Sequence, residues 1–475
     1  MPTSPSAAPP SSTPPTAATA AVPTAAAQVD ASRLTGHQRS LIALAVVANV
    51  AEFFDVFLIG FIVSLLAESP GWDLSGRATG IILAGAGLGT VLGAVVWGRV
   101  ADAVGRRRAF AWCVTALVVF TAASALTPTN GWVILALLRT GVGFGVGGLI
   151  TSVPFVQEFV PAKQRGLLSG LTSVFIPAGI FLGGLATRYL GDPLGWRGLV
   201  ALGCVPVVLL LWIRVVPESP RYLQTHGRVE EARAAYAWAL ELPVDEVAPL
   251  PAVASTPRVS YGELLRDHAR PLAIVAVGAF CFTLGSFTIQ SWGQTLLGQS
   301  FGVATGAVAG LFMLVSLGDL LGRLGVAWAS DRVGRRAVLL VCGALGAVGC
   351  LIAAYSAHVA AEGAGGSDLH RAAMTFFVGV LITMVFGDGA FGILSTFSGE
   401  QFPNEVRSTG LGLGWGIGAS AKVVGPYLVG ALIGSGQPTP EVVRLPFLIF
   451  AGLLLLGGLT FLLAHETKGE ALESI

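Results

Sequence analysis

The chain carries little charge for its length. Only 12% of its 475 residues are Asp, Glu, Lys or Arg, whereas 53% are hydrophobic, and the formal net charge is +1. A soluble globular protein of this length could not cover its core with so few charges. We therefore expect a lipid bilayer around most of the surface, and no nucleic acid as a partner.

Cysteine and histidine are also scarce, and their positions exclude several kinds of site. The five cysteines lie singly in apolar stretches, without the spacing of a metal site or a disulfide framework. The six histidines lie in loops or at the ends of apolar stretches. The chain has neither a nucleotide-binding loop nor a Ser, His and Asp set at a suitable depth. We expect no metal, no cofactor and no enzymatic activity.

Long apolar runs are abundant. About a dozen stretches reach the roughly 20 residues that a helix needs to cross a bilayer. The sequence thus predicts an all-α membrane protein with twelve transmembrane helices in two six-helix bundles. The predicted spans are 40–67, 78–98, 109–127, 131–156, 166–189, 196–215, 271–296, 303–326, 337–358, 372–397, 408–433 and 445–464.

The basic residues are distributed unevenly between the two faces of this arrangement. Of the 28 lysines and arginines, Arg139, Arg323 and Lys422 lie deep inside predicted spans, 20 lie at the face that holds both termini, and five lie at the other. Because cytoplasmic loops carry an excess of Lys and Arg, both termini are predicted to be cytoplasmic. The five residues on the other face are Arg77, Arg188, Arg197, Arg371 and Arg444.

Composition also divides the chain into segments. The first residues are mainly Pro, Ala, Thr and Ser, which cannot bury enough surface to fold. A short helix, Val229 to Leu242, is predicted inside the longest connection. The predicted segments are a disordered cytoplasmic tail (1–38), a first bundle (39–216), a cytoplasmic loop (217–270), a second bundle (271–465) and a cytoplasmic tail (466–475).

A short basic loop occurs twice in the chain. The sequence Gly98-Arg-Val-Ala-Asp-Ala-Val-Gly-Arg-Arg-Arg108 is followed 229 residues later by Ala327-Trp-Ala-Ser-Asp-Arg-Val-Gly-Arg-Arg336. Each copy stands between two long hydrophobic runs. The repeat indicates two similar membrane halves joined end to end, an arrangement typical of transporters with a central site.

Two further pairs of motifs follow the same division. Glu158-x2-Pro161-x3-Arg165 follows the fourth span and Glu400-x2-Pro403-x3-Arg407 the tenth, while Pro217–Arg221 follows the sixth and Glu466–Gly469 the twelfth. Together with the basic loops, they resemble the major facilitator superfamily, in the branch of sugar porters, aromatic acid:proton symporters, and niacin and organic-ion transporters. The resemblance implies a monomer in the cell membrane, whose two bundles rock around a midplane site.

The resemblance also implies a cytoplasmic gate made by the repeated loops. In such transporters, charge networks at these loops hold the cytoplasmic side closed while the cavity opens outward. We expect Asp102 and Asp331, at helix ends, to face Arg and Glu side chains of neighbouring loops. The gate residues predicted in this way are Asp102, Arg106, Glu158, Arg165, Asp331, Arg335, Glu400 and Arg407.

Several ionisable side chains lie inside the predicted spans. Charges in a bilayer are costly unless they are paired or hydrated, so each is a candidate functional residue. They are Glu52, Asp55, Arg139, Asp319, Arg323, Asp388 and Lys422.

Glu52, Asp55 and Arg139 are the candidates for proton coupling. Glu52 and Asp55 lie three residues apart on one helical face, and two carboxylates this close should not both ionise easily. We assign Asp55 as the proton carrier and Glu52 as a supporting or cavity-lining residue. The resemblance to proton-driven sugar porters implies that Asp55 pairs with Arg139, so that protonation releases the arginine. A permanent salt bridge is the alternative.

Lys422 is the candidate for binding an anionic substrate. A lone ammonium in the eleventh span pairs either with a buried acid, Asp388 being nearest by depth, or with the substrate. We favour the substrate, with Asp388 in the substrate site as the counter-ion of Lys422 when the site is empty. Asp319 and Arg323 are spaced as a local pair with a structural or gating role. The other predicted substrate-site residues are Phe54, Gln290, Trp292, Gln294, Phe391 and Trp415.

An aromatic wall, amides and one cation suit a small carboxylate, including one with an aromatic ring. The sequence therefore predicts proton-coupled symport of a small organic anion such as a niacin-like acid. The alternatives are a sugar or polyol porter, which Pro217–Arg221 and Glu466–Gly469 favour, and a drug or metabolite exporter. The seventh span lacks the paired-glutamine and asparagine pattern of sugar porters. A membrane sensor is a further alternative, although no signalling domain accompanies the spans.

Overall fold

The computed structural model describes residues 24–149, 152–251, 261–362, 366–403 and 405–468, and these residues form helices without any strand. Two π-helical turns, Leu296–Ser300 and Met384–Asp388, directly follow α-helices. The helices are α1 Ala25–Ala31, α2 Gly36–Glu68, α3 Gly76–Val104, α4 Arg106–Ala125, α5 Trp132–Leu149, α6 Ser152–Gln157, α7 Ala162–Val174, α8 Ile176–Leu202, α9 Val207–Trp212, α10 Pro220–Thr225, α11 Val229–Leu240, α12 Tyr261–Asp267, α13 Ala269–Thr295, α14 Thr305–Val333, α15 Arg335–Glu362, α16 Gly366–Thr383, α17 Phe391–Glu400, α18 Arg407–Ala419, α19 Ala421–Ile433 and α20 Pro440–Phe461.

Within the described ranges, eleven helical segments are long and apolar enough to cross a membrane. One of them, Ile176–Val215, is 40 residues long and contains most of the fifth and sixth predicted spans. Gly195 interrupts this segment with a backbone that is not helical (φ 60°, ψ −177°), two residues after Pro193. The positive φ favours glycine, and the proline lacks the N–H that would continue the helix.

The prediction of a disordered tail up to residue 38 is wrong for its last residues. Thr24 caps α1, and Thr35 and Gln38 form a capping box at the start of α2. Helix α1 packs on α11, and the amide of Ala25 donates a hydrogen bond to the carbonyl of Pro249 (2.9 Å). Residues 1–23 of this tail lie outside the described residues. Helix α11 confirms the helix that was predicted in the long connection.

The helices pack as two groups that meet along a boundary. In the first group α3 packs against α5, α2 against α8 and α4 against α5. In the second group α15 packs against α20 and α16, and α13 against α18. The most extensive packing between the groups is that of α3 with α19, α8 with α14, and α2 with α13, and smaller contacts join α2 with α14 and α7 with α17. We call the first group the N-half and the second the C-half.

The two halves approach closely at one end of the molecule. We call the end with the repeated basic loops the basic end and the other the opposite end. Near the opposite end, the amide of Gly76 donates a hydrogen bond to the carbonyl of Gly436 (2.9 Å), and Thr305 donates one to Glu68 (2.7 Å). A Cβ atom on Gly80 would lie 2.8 Å from the Cα atom of Gly430, so only glycine fits there. The boundary is therefore sealed toward the opposite end.

Candidate functional site

A buried ion pair lies inside the N-half. Arg139 of α5 donates a hydrogen bond to Asp55 of α2 over 3.1 Å, and both side chains are only 2% exposed. Thr121 donates to the other carboxylate oxygen (3.2 Å), and Arg139 also donates to Ser124 (3.3 Å). The pair therefore joins three helices, α2, α4 and α5, through one carboxylate. A charge pair this well enclosed can change the contacts among these helices if its carboxylate takes up a proton.

Glu52 lies one helical turn before Asp55 but faces a different partner. Its carboxylate interacts electrostatically with the ammonium of Lys422, across the boundary between α2 and α19. Both side chains are half-buried. The two neighbouring carboxylates of α2 are thus each compensated by a separate cation. Glu52 and Lys422 form a charged patch at the boundary between the halves.

The C-half contains a buried cluster of three charges. Arg323 donates a hydrogen bond to Asp319, one turn earlier on α14 (3.0 Å), which confirms the predicted local pair. The same guanidinium also forms an ion pair with Asp388, at the end of the π-helical turn Met384–Asp388. The prediction that Asp388 is the counter-ion of Lys422 is therefore wrong. The π-helical turn brings Asp388 to α14, where a closer cation lies.

Two of the predicted aromatic residues lie beside the charge cluster of the C-half, and a third packs against the apolar core. The guanidinium carbon of Arg323 lies 5.6 Å from the ring centroid of Phe391, which packs edge-on against Trp415 (6.0 Å). Both rings are half-buried, as is Phe54, which packs against the main apolar core. A ring that the sequence did not single out, Phe287, lies 5.5 Å from the ammonium of Lys422. The charged groups near the boundary thus have aromatic neighbours.

Three other predicted substrate-site residues on α13 are buried. Trp292 is 1% exposed and donates its indole N–H to the carbonyl of Pro426 (3.0 Å), so it packs α13 against α19 and is not a lining residue. Gln294 is 0% exposed and faces Gly60 of α2. Gln290 is 5% exposed. Gln294 is therefore packed against the N-half and does not line an open cavity.

The basic end of the N-half contains a charged network. Arg106 at the start of α4 forms an ion pair with Glu158, which also accepts a hydrogen bond from Ser219. Burial raises the pKa of Glu158, although Arg106 and Ser219 act in the opposite direction. Glu218 accepts a hydrogen bond from the amide of Arg107 (2.9 Å), at the N-terminus of α4 where a negative charge is favoured.

The C-half repeats this network residue by residue. Arg335 forms an ion pair with Glu400 (2.8 Å), which accepts a hydrogen bond from Thr467 (2.5 Å). Glu466 accepts hydrogen bonds from the amides of Arg335 (3.1 Å) and Arg336 (3.0 Å) at the start of α15. The sequence did not single out Ser219, Glu218 or Thr467 individually. The repeated Glu-Ser and Glu-Thr pairs after the sixth and twelfth spans were the available signal.

Four predicted gate residues have other surroundings than expected. Asp102 and Asp331 are exposed, and neither carboxylate has a hydrogen-bond or ion-pair partner in the described part of the chain, so the prediction that they face loop Arg and Glu groups is wrong here. The halves lie together at the opposite end, and Arg106 and Arg335 are held by their own halves. Arg165 donates to the carbonyl of Gln157 (3.1 Å) and pairs with Asp30 (3.5 Å). Arg407 donates to the carbonyl of Phe402 (3.2 Å).

Two helical halves with buried charges, a charged patch at their boundary and a seal at one end are the features of a membrane transporter. Residues 41–475 match the family described as Sugar (and other) transporter, so the chain belongs to this family of the major facilitator superfamily. Its members are transporters and not enzymes.

The curated relatives include transporters of small acids. The niacin transporter NiaP of Acinetobacter baylyi is 30% identical over 432 residues, covering 89% of this chain and 93% of that protein. The gentisate transporter of Corynebacterium glutamicum is 26% identical, over 84% of this chain and 82% of its own length. The gallate transporter of Pseudomonas putida is 25% identical, over 87% of this chain and 89% of its own length.

Solved structures share the fold. The partially occluded inward open conformation of the xylose transporter XylE from E. coli aligns with a TM-score of 0.65 at 20% identity, over 92% of this chain and all of that chain. The inward open conformation of XylE aligns with a TM-score of 0.67 at 18% identity, over 92% of this chain and 98% of that chain. At these identities the likeness establishes the fold.

Proposed function

We propose that this protein is a proton-coupled symporter of a small organic anion with an aromatic ring, in the manner of a niacin-like carboxylate. It works as a single chain in the cell membrane. Its two halves rock around a site at their boundary, which opens alternately to the two sides. The proton binds at Asp55, and the carboxylate of the substrate binds at Lys422.

Twelve membrane crossings, with both termini cytoplasmic, are part of this proposal. A continuous helix over the 40 residues of Ile176–Val215 would be about 60 Å long, roughly twice the hydrocarbon thickness of a bilayer. The break at Gly195 allows this segment to cross twice. The excess of Lys and Arg at the basic end assigns that end to the cytoplasm. The seal at the opposite end then closes the site toward the outside.

The observation that carries the substrate class is the position of the Lys422 ammonium, 5.5 Å from the ring centroid of Phe287 at the boundary of the halves. A half-buried cation beside an aromatic ring suits a ligand that combines a carboxylate with a flat ring. Glu52 balances the charge of Lys422 when the site is empty. Relatives named for niacin, gentisate and gallate, which are all aromatic acids, support the same class.

Proton coupling is supported by the Asp55–Arg139 pair. Protonation of Asp55 removes the charge that holds Arg139, so the two protonation states favour different packings of α2, α4 and α5. Since the pair is 2% exposed, it exchanges protons with water only when the halves open to one side or the other. A proton gradient can thereby drive uphill movement of the anion.

A sugar or polyol porter is the second candidate. The amide nitrogen and oxygen of Gln294 are buried without a hydrogen-bond partner in the described part of the chain. Such a group could bind a hydroxyl if α2 moved away from α13. The family description and the fold of XylE are compatible with this candidate. The closed packing around Gln294 makes it the weaker of the two.

The test is uptake into proteoliposomes of the full-length protein with labelled nicotinate, gentisate, gallate and xylose, with and without an inward proton gradient. Accumulation of an acid only when the gradient is present supports the proposal. Uptake of xylose and of no acid would favour the second candidate, a sugar or polyol porter, instead. Equilibration of an acid regardless of the gradient would refute proton coupling and leave the substrate class standing.

A further inference from the structure

The charges of the C-half cluster do not balance. Asp319, Arg323 and Asp388 place two carboxyl groups around one guanidinium, and their side chains are 0%, 2% and 5% exposed. Arginine carries a single positive charge under all conditions in which proteins fold. With both acids ionised the cluster would hold a net negative charge among apolar helices, which is costly. In the N-half pair, by contrast, one carboxylate faces one guanidinium.

The contacts of Asp319 show where the excess charge lies. One oxygen accepts the hydrogen bond from Arg323 (3.0 Å), while Oδ2 has no described donor near it. The carboxyl group of Asp388 lies within hydrogen-bonding reach of the Asp319 carboxyl group, and Arg323 and Asp388 are the charged groups that act on Asp319. Two carboxylate oxygens both accept hydrogen bonds, so they can bond to each other only when one of them carries a proton.

We propose that the cluster of Asp319, Arg323 and Asp388 is a second proton-binding site, which holds one exchangeable proton between the two carboxyl groups. The inference rests on the proposed function, because it assigns this proton to the transport cycle. The proton enters and leaves through Asp388, the more exposed of the two acids. Each cycle then carries protons through both halves, at Asp55 in one and at this cluster in the other.

The surroundings of the cluster allow its protonation state to affect the conformation. Helix α14, which carries Asp319 and Arg323, packs across the boundary, where it meets α8. The π-helical turn Met384–Asp388 packs directly on α14, and such turns are frequent at functional sites. Loss of the proton leaves two repelling carboxylates between these segments. The cluster thus favours different packings of the turn against α14 in its two states.

The first test needs no substrate. Infrared difference spectra of the purified full-length protein in lipid are recorded between about pH 5 and about pH 10, a range above the ordinary titration of carboxyl groups at about pH 4, so that ordinary acids stay ionised throughout. The wild type should show a carboxylic-acid carbonyl band that disappears at high pH. Asp319→Asn and Asp388→Asn should each remove one component of it, different from the component that Asp55→Asn removes. Asp368→Asn, an acid near the start of α16 and remote from the cluster, should leave the spectrum unchanged.

Identical spectra for the wild type, Asp319→Asn and Asp388→Asn would overturn the proposal, and so would a cluster component that does not change with pH. Each amide preserves the size of the acid it replaces. Size-exclusion chromatography selects the variants that fold, and two independent variants keep the test decisive if one does not.

The second test measures proton stoichiometry with nicotinate, gentisate and gallate as probes. Each coupled proton raises the accumulation ratio about tenfold per unit of pH gradient. With a gradient of about one pH unit, we expect an accumulation ratio of about a hundredfold in the wild type and about tenfold in Asp319→Asn or Asp388→Asn. A wild-type ratio of about tenfold that neither variant changes would refute the second proton site and leave the proposed function intact. Accumulation by the wild type that does not depend on the proton gradient would refute both the second proton site and the proposed proton coupling.

Discussion

The two halves of the molecule are nearly identical at the basic end and different inside the membrane region. At the basic end each half has an arginine that starts a helix, a glutamate that pairs with it, and a hydroxyl that donates to the glutamate. These groups are Arg106, Glu158 and Ser219 in the N-half and Arg335, Glu400 and Thr467 in the C-half. The repeated sequence motifs thus make repeated contacts in the two halves.

The buried charges are not repeated in this way. The N-half holds one acid against one arginine, Asp55 and Arg139, whereas the C-half holds two acids against one arginine. Lys422 and Glu52 face each other from opposite sides of the boundary and have no second copy. Groups that support the fold of each half are the same in both. The groups that we assign to chemistry occur where the two halves differ.

Arg323→Gln should have the largest effect, because it leaves two carboxyl groups without a cation where Arg139→Gln leaves one. Breaking a buried ion pair costs on the order of 3–5 kcal/mol. We expect Arg323→Gln to lower the thermal unfolding temperature in detergent more than Arg139→Gln does, and more at high pH than at low pH, where the acids are protonated. Adding Asp388→Asn should restore part of the loss. Equal losses for the two arginine variants would contradict the charge difference between the halves.

Asp55→Asn tests the N-half side of the comparison. The amide cannot release a proton, so the part of the uphill uptake that the Asp55 proton drives should disappear, while exchange of labelled for unlabelled acid across the membrane continues. One proton over one unit of pH gradient supplies about 1.4 kcal/mol, or tenfold accumulation, and this is the part that should vanish. Asp192→Asn, an exposed aspartate in the same half, is the control. Loss of exchange as well would give Asp55 a structural role.

Lys422→Gln tests the group without a second copy. A charge-assisted hydrogen bond contributes about 1.5–3 kcal/mol, so the dissociation constant for an aromatic acid should rise about 10- to 100-fold. Binding of the corresponding uncharged amide, such as nicotinamide in place of nicotinate, should change little. Isothermal titration of the purified protein measures both. Unchanged binding of the acid would remove Lys422 from the site.

Local sequence spacing predicted part of the charge cluster in the C-half. Asp319 and Arg323 are four residues apart, which places them on one face of a helix, and the structure pairs them. The partner of Asp388 could not be predicted from its depth, because depth does not specify the direction around a helix axis. The π-helical turn Met384–Asp388 also changes which face the following side chains occupy.

The exposure of Asp102 and Asp331 had a different cause. A transporter sequence encodes more than one arrangement of its halves, and a loop motif does not say which arrangement a given structure adopts. In the arrangement described here the halves are sealed at the opposite end, so the basic ends of α3 and α14 are exposed. The repeated loops were therefore predicted correctly as a pair, but their contacts depend on the conformation.

Gly80→Ala should move the molecule between arrangements. The added Cβ would lie 2.8 Å from the Cα atom of Gly430, and overpacking of this kind costs roughly 1–3 kcal/mol. The seal at the opposite end weakens, so the population with a closed basic end grows. A membrane-impermeant maleimide should then label Val333→Cys, which replaces a 65% exposed residue of the basic end, more slowly. Gly98→Ala on the same helix meets nothing within 4 Å and should leave the labelling rate unchanged.

Thr467→Ala and Ser219→Ala should have the smallest effects, and their equality is the point of the test. Each removes the hydrogen bond to the paired glutamate of its half and one that the hydroxyl accepts, from the amide of Tyr222 to Ser219 (3.0 Å) or from Arg335 to Thr467 (2.9 Å), at about 1 kcal/mol for each bond. Because Glu400 and Glu158 keep their arginines, we expect small and similar losses of thermal stability in both variants. A loss that is several times larger in one half would mean that the two networks differ in strength despite matching groups. The two halves would then differ in their networks at the basic end as well as in their buried charges.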